Sequence, residues 1–243
     1  MSTKATPVWI VVGGLIFSVT AGFVNAVGFL GVHHHGLSHV TGQMTMVSIR
    51  LADSGLRAAL KAVWIVLWFF GGAILSGIII QRPELSRRGR RYGVAMIVEG
   101  VVLSVATGLL VRGNDQGEYL AALSLGLQNA MATSYSGAVL RTTHVTGIVT
   151  DLGILLGHLV RREPVDARKL GLLSQLLVGF VSGGLVGAVV FHHVGAWSLA
   201  VPSGLMLGGG VIFYSTRKVL PHRPVDSPAS PQTVTASTAK ISA

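Results

Sequence analysis

Apolar residues run along this chain in eight blocks set apart by Gly, Pro and charged breakers, at about 8–30, 39–53, 57–81, 92–112, 117–140, 144–160, 169–191 and 196–217. Six blocks hold roughly 20 residues or more, enough for a helix rising about 1.5 Å per residue to cross about 30 Å of hydrocarbon. The blocks at 39–53 and 144–160 are shorter and carry polar residues, so they read as half-helices or re-entrant segments. The pattern predicts an all-α polytopic membrane protein of about six transmembrane helices plus these two short elements. Val8 to Leu30 exceeds the roughly 7–15 apolar residues of a signal-peptide core and reads as a retained first span. Residues 1–7 are expected as a cytoplasmic N-terminus, and the Pro/Ser/Thr/Ala-rich stretch 218–243 as a disordered cytoplasmic tail.

The blocks repeat. Gly22-Phe23-Val24-Asn25-Ala26 aligns with Gly126-Leu127-Gln128-Asn129-Ala130, and Ser38-His39-Val40-Thr41-Gly42-Gln43-Met44-Thr45 aligns with Thr143-His144-Val145-Thr146-Gly147-Ile148-Val149-Thr150. The offsets are 104 (129 − 25) and 105 (144 − 39). The same shift carries 92–112 onto 196–217 and 57–81 onto about 162–186, overlapping the block at 169–191, and so divides the chain into repeats 8–112 and 113–217. If all eight blocks crossed a bilayer, the basic loops at 82–91 and 161–169 would face opposite sides, against the positive-inside rule. With two re-entrant blocks, all Lys and Arg except Arg50, Arg57, Lys61 and Arg112 fall on the cytoplasmic side with both termini. Each repeat then holds three spans, and the second is inverted relative to the first, a construction common in secondary transporters.

Composition agrees with a membrane chain: 50% of residues are hydrophobic and 12% charged, against about 25% charged in soluble domains. The net charge of +10 sits in short clusters between apolar blocks, where anionic headgroups select it, so no nucleic-acid partner is expected. The absence of cysteine excludes disulfide and thiolate chemistry. No catalytic or nucleotide-binding motif is present, so neither an enzyme nor a cofactor is expected. His33-His34-His35 and His192-His193 lack acidic or cysteine co-ligands, and no metal site is expected there.

Chemistry concentrates in the duplicated His-Val-Thr-Gly-x-x-Thr motif, because polar groups at membrane depth are costly unless they are buried in protein or line a wet cavity. Each copy opens a short helix, whose N-terminus would direct free N–H groups and the positive dipole end at an anion or a dipolar solute. The candidate pathway comprises Asn25, His39, Thr41, Thr45, Gln128, Asn129, His144, Thr146 and Thr150. On the competing reading, Ser38 and Thr143 cap the short helices, the histidines tie them to neighbouring spans, and Asn25 and Asn129 bridge helices without any solute. Glu99 and Asp151 are candidates for proton or ion coupling. Small residues spaced by four, such as Gly14, Ser18, Gly22 and Ala26 or Gly179, Gly183 and Gly187, read as packing seams. Trp9, Trp64, Tyr92, Tyr119, Trp197 and Tyr214 read as interfacial anchors.

Gly22-Phe23-Val24-Asn25-Ala26-Val27-Gly28-Phe29, Ser38-His39-Val40-Thr41-Gly42, Gly126-Leu127-Gln128-Asn129-Ala130 and Thr143-His144-Val145-Thr146-Gly147 together resemble the YoaK-like bacterial inner-membrane proteins, a domain-of-unknown-function family. Asn25 departs from the acidic residue that many members carry at that position. The resemblance covers residues 8–217 and implies an inner-membrane location and about six spans; it implies no substrate. The expectation is a transporter or channel for a small solute, with its site between the repeats. The alternative is a membrane scaffold or accessory protein that binds a protein partner through its glycine seams or the Arg82–Arg91 loop. The lipid bilayer is the expected surrounding, and the sequence is compatible with a homo-oligomer.

Overall fold

A computed structural model describes residues 8–31, 34, 36–80, 90–136 and 143–216. The termini at 1–7 and 218–243, His33, His35 and most of the Arg82–Arg91 loop lie outside the described residues. Among the described residues the eight blocks are eight α-helices: α1 (Val8–Leu30), α2 (Val40–Asp53), α3 (Leu56–Ile79), α4 (Arg91–Val111), α5 (Gln116–Ser136), α6 (Val145–Val160), α7 (Ala167–Val194) and α8 (Ala200–Thr216). A 3-10 turn at Gly195–Leu199 links the last two, so the block expected at 196–217 begins with a tighter turn. No strand occurs among the described residues. Helix α7 spans 28 residues and is longer than expected at both ends; at its start the Asp166 carboxylate accepts from the Arg168 and Lys169 N–H groups and begins the helix early. Gly113, at φ 74°, lets the chain reverse between α4 and α5 within a few residues.

Four stretches are long and apolar enough to cross a membrane: Val11–Leu30, Ala59–Ile79, Arg91–Val111 and Ala167–Thr216, the last comprising α7, the 3-10 turn and α8. The side-chain distribution is inside-out. Leu60, Trp64, Leu67, Phe70, Ile74 and Ile78 form an exposed stripe on α3, and Val178, Val181 and Leu185 form another on α7. Small and polar residues fill the interior, including Ser18, Ala21, Thr20, Ala95, Ala121, Ser124 and Ser203. Large apolar surface of this extent suits lipid, where helices associate through close packing of small residues. Trp64 and Trp197 are exposed as anchors should be, whereas Tyr92 is only 2% exposed and sits edge-on to Phe213.

The closest approaches are made by glycine. A Cβ on Gly22 of α1 would collide with the Phe180 carbonyl of α7, and one on Gly126 of α5 with the Phe69 carbonyl of α3. The reciprocal positions match: Gly183 of α7 abuts Val19, and Gly72 of α3 abuts Leu123. Helices α1 and α7 run side by side and parallel, as do α3 and α5. Helix α4 pairs antiparallel with α8, where the Ser104 and Ser203 hydroxyls are 2.6 Å apart and both reach the Gly100 carbonyl.

Two apolar clusters mark the ends of the bundle. One joins Val24 and Val27 of α1, Leu103 and Ala106 of α4 and Phe191 of α7 to Ile65 of α3, Ala121 and Leu125 of α5 and Leu199. The other joins Phe17 of α1, Ile80 of α3, Ala95 of α4, Met131 of α5 and Met206 of α8. Helices α1, α4 and α7 therefore run toward the first cluster, and α3, α5 and α8 toward the second. Consecutive long helices alternate in direction once α2 and α6 are set aside.

Candidate functional site

Asn25, about five residues below the end of α1, donates to the Ser38 hydroxyl at 2.8 Å and accepts from the Ser38 N–H at 3.0 Å. Its second amide hydrogen goes to the Ala21 carbonyl at 2.8 Å. At 1.5 Å per residue, this clamp holds Ser38 roughly 8 Å back inside the bundle from the end of α1. Leu37, 2% exposed, packs into the first apolar cluster beside it. Ser38, just ahead of α2, is consequently buried at 8% exposure, while His39 and Thr41 at the start of the helix are exposed.

Both motif copies meet in one cavity of about 500 Å³. Ser38, His39 and Thr41 line it from the start of α2, Thr143, His144 and Thr146 from the start of α6, and Phe69, Asn129 and Thr133 complete the wall. Small-molecule sites commonly enclose about 300–1,000 Å³. His39 (φ −85°, ψ 63°) and His144 (φ −91°, ψ 60°) occupy the N-cap positions with nearly the same backbone, and no side chain caps either helix. Ser38 and Thr143 are therefore not the caps; the Ser38 hydroxyl is taken by Asn25. The first-turn N–H groups of Val40, Thr41 and Gly42, and of Val145, Thr146 and Gly147, have no acceptor among the described residues. Two helix N-termini directed at one cavity give it a positive electrostatic bias without a charged side chain.

The side chains depart from the backbone symmetry. His39 is edge-on to Phe29 at 5.2 Å and Phe180 at 6.5 Å between ring centroids. His144 folds back over its own first turn, where a Cβ on Gly147 would overlap the imidazole. On Gly42 the nearest atom to such a Cβ is the His39 Cβ at 3.9 Å. Asn129, the counterpart of Asn25, makes no matching clamp: its buried Oδ1 has no hydrogen-bond partner and the residue lines the cavity.

Of the residues expected in the pathway, His39, Thr41, Asn129, His144 and Thr146 line the cavity. Asn25 stands behind it. Thr45 and Thr150 point away along their helices, their hydroxyls bonded to the Thr41 and Thr146 carbonyls at 3.1 and 2.9 Å. Gln128 is fully buried within α5, and Glu99 fully buried within α4. Asp151 lies on α6 with its carboxylate 3.2 Å from Lys169 Nζ. Phe69 and Thr133 escaped the sequence reading, because an apolar aromatic and a threonine inside spans carry no pattern that sets them apart from packing residues. Among the described residues no three metal-ligating side chains come together.

No curated protein and no solved structure matches the chain. Residues 13–212, from within α1 to within α8, match the family described as protein of unknown function DUF1275. The match covers most of the chain, including both motif copies and the cavity they line, and the protein belongs to that family.

Proposed function

We propose that this protein is a non-enzymatic transporter or channel for a small anionic or dipolar solute, with its site where the two short helices meet. The observation that carries the reading is the shared cavity of about 500 Å³, lined by both His-Val-Thr-Gly copies and faced by two uncapped helix N-termini. The alternating directions of the long helices support it, since on this reading they invert the second half relative to the first. The α1–α7 seam is repeated by α5–α3, with Phe180 against Gly22 answered by Phe69 against Gly126. The offset along α3 and α7 is 111 (180 − 69, and 183 − 72), rather than the 104–105 of the motifs, because the connections differ in length. On this reading α1, α3, α4, α5, α7 and α8 cross the membrane, α2 and α6 re-enter it, and both termini are cytoplasmic in the bacterial inner membrane. A scaffold role leaves the cavity without a purpose.

The test uses the cysteine-free chain. Single cysteines at positions 41 and 146 are labelled in inside-out and right-side-out vesicles with a membrane-impermeant thiol reagent, with cysteines at 34, 86 and 165 as markers of side. Reaction of 34 from outside, of 86 and 165 from inside, and slow reaction of 41 and 146 through water are expected. Opposite sidedness of 86 and 165 would remove the inverted arrangement and the site with it. In reconstituted vesicles, His39→Ala and His144→Ala should reduce osmotic flux of small solutes such as formate or urea while leaving the amount of folded protein unchanged.

A further inference from the structure

Between the two apolar clusters lies a layer of buried polar side chains on three helices. Glu99 of α4, Ser124 and Gln128 of α5 and Ser76 of α3 are each at most 1% exposed. Both carboxyl oxygens of Glu99, both amide atoms of Gln128 and the hydroxyls of Ser76 and Ser124 have no hydrogen-bond partner among the described residues. The register brings them to one level. Gly117 packs on Leu110 across the α4–α5 hairpin. Glu99 stands eleven residues before Leu110 (110 − 99) and Gln128 eleven residues after Gly117 (128 − 117), so the antiparallel pair sets them opposite one another. Ser124 is one turn from Gln128 on the same face. Ser76 is one turn beyond Gly72, which abuts Leu123 and Leu127.

Six polar atoms left without a protein partner in one layer are more than packing explains, since buried polar groups are almost always hydrogen-bonded and an unpaired buried carboxylate is costlier still. Among the described residues no countercharge faces Glu99. On α4 itself the nearest titratable group is Tyr92, toward the second cluster. On α5, Glu118 and Tyr119 lie near the other end of the hairpin. On α8, Tyr214 is beside Gly93. Helix α3 offers only Arg57 and Lys61, exposed at its start, and the 3-10 turn offers none.

We infer that Glu99 is the binding site for one monovalent cation, a proton or a sodium ion, with Ser76, Ser124 and Gln128 as neutral oxygen ligands around it. A single carboxylate among neutral oxygens matches one positive charge, and oxygen donors suit hard cations. The bound cation completes the layer, and its loading and release give the adjacent cavity an energy source, since Asn129, the next residue after Gln128, lines that cavity. This use of the cation rests on the transport reading; the binding site itself does not.

The test is modification of the full-length protein in detergent with dicyclohexylcarbodiimide, an apolar reagent that attacks only protonated carboxyl groups, followed by peptide mass mapping. An adduct on Glu99 at mildly acidic pH is expected, absent in Glu99→Gln. A proton site loses the adduct roughly tenfold per pH unit above its midpoint, with sodium and choline chloride equivalent. A sodium site loses it at fixed pH in sodium chloride but not in choline chloride. Thermal melting by circular dichroism provides a second readout, because a ligand stabilises the state that binds it. The wild type should melt higher with the cation that suppresses or forms the adduct, and Glu99→Gln should melt at a temperature indifferent to both. A Glu99 modified only after unfolding in dodecyl sulfate, or a melting response equal in Glu99→Gln, would overturn the inference. Failure of the cavity reading would show instead as flux unaffected by His39→Ala with the Glu99 adduct intact.

Discussion

The start of α2 and the start of α6 share a sequence motif and a backbone conformation, yet their supports differ. Asn25 holds the first in place through Ser38, with all three of its polar contacts made inside the protein. Asn129 stands at the corresponding place in α5 and leaves its Oδ1 unpaired against the cavity. His39 is wedged between two phenylalanine rings, while His144 lies over Gly147. The duplicated motif has thus kept its backbone while its side chains make different contacts: Ser38 is clamped by Asn25, whereas His144 lies over Gly147. The difference lets the two copies be tested against each other.

The largest effect is expected where the copies are still equivalent. Gly22→Leu and Gly126→Leu each drive a side chain into a helix backbone, so both should yield little monodisperse protein on size exclusion. Gly22→Ala and Gly126→Ala should each cost about 1–3 kcal/mol or more, with parallel losses in melting temperature. Unequal losses would break the equivalence of the two seams.

Next comes the pair that separates the copies. Asn25→Ala strands the buried Ser38 N–H and should destabilise by about 1–3 kcal/mol. Asn129→Ala strands nothing, so its melting temperature should stay close to wild type while labelling rates at position 146 change. Equal destabilisation would mean that Asn129 also acts as a clamp.

A smaller contrast concerns the motif glycines. Gly42→Ala meets only the His39 Cβ, at an ordinary contact distance of 3.9 Å, and should raise helix stability by about 0.5–1 kcal/mol. Gly147→Ala forces the His144 ring off its helix and into the cavity, which should show as altered flux with little gain in stability. The smallest effect belongs to the Asp151–Lys169 pair, nearly half exposed on both sides. Asp151→Asn should change stability by about 0–1 kcal/mol, less at high salt, and a larger loss would assign Asp151 a role beyond the surface.

Most of the architecture was legible in the chain because bilayer-length apolar runs and their breakers are local properties. All eight helices follow the blocks closely, and the departures are confined to ends set by caps, such as Asp166 ahead of α7. The duplicated motifs were legible for the same reason. Their use was not. Ser38 reads as a helix cap until the fold places it against Asn25, thirteen residues earlier. Thr45 and Thr150 read as lining residues until helical geometry turns their hydroxyls onto the preceding turn.

The sequence by itself determined the helical, inside-out character of the protein, its two short helices and its paired polar motifs, since periodicity, run length and repetition are written in consecutive residues. Tertiary structure alone decided that the two motifs share one cavity, that Asn25 and Asn129 differ, and that Glu99, Gln128, Ser124 and Ser76 form one layer. These facts depend on which helices cross at a glycine and in what register, and such choices are made by packing between residues far apart in the chain.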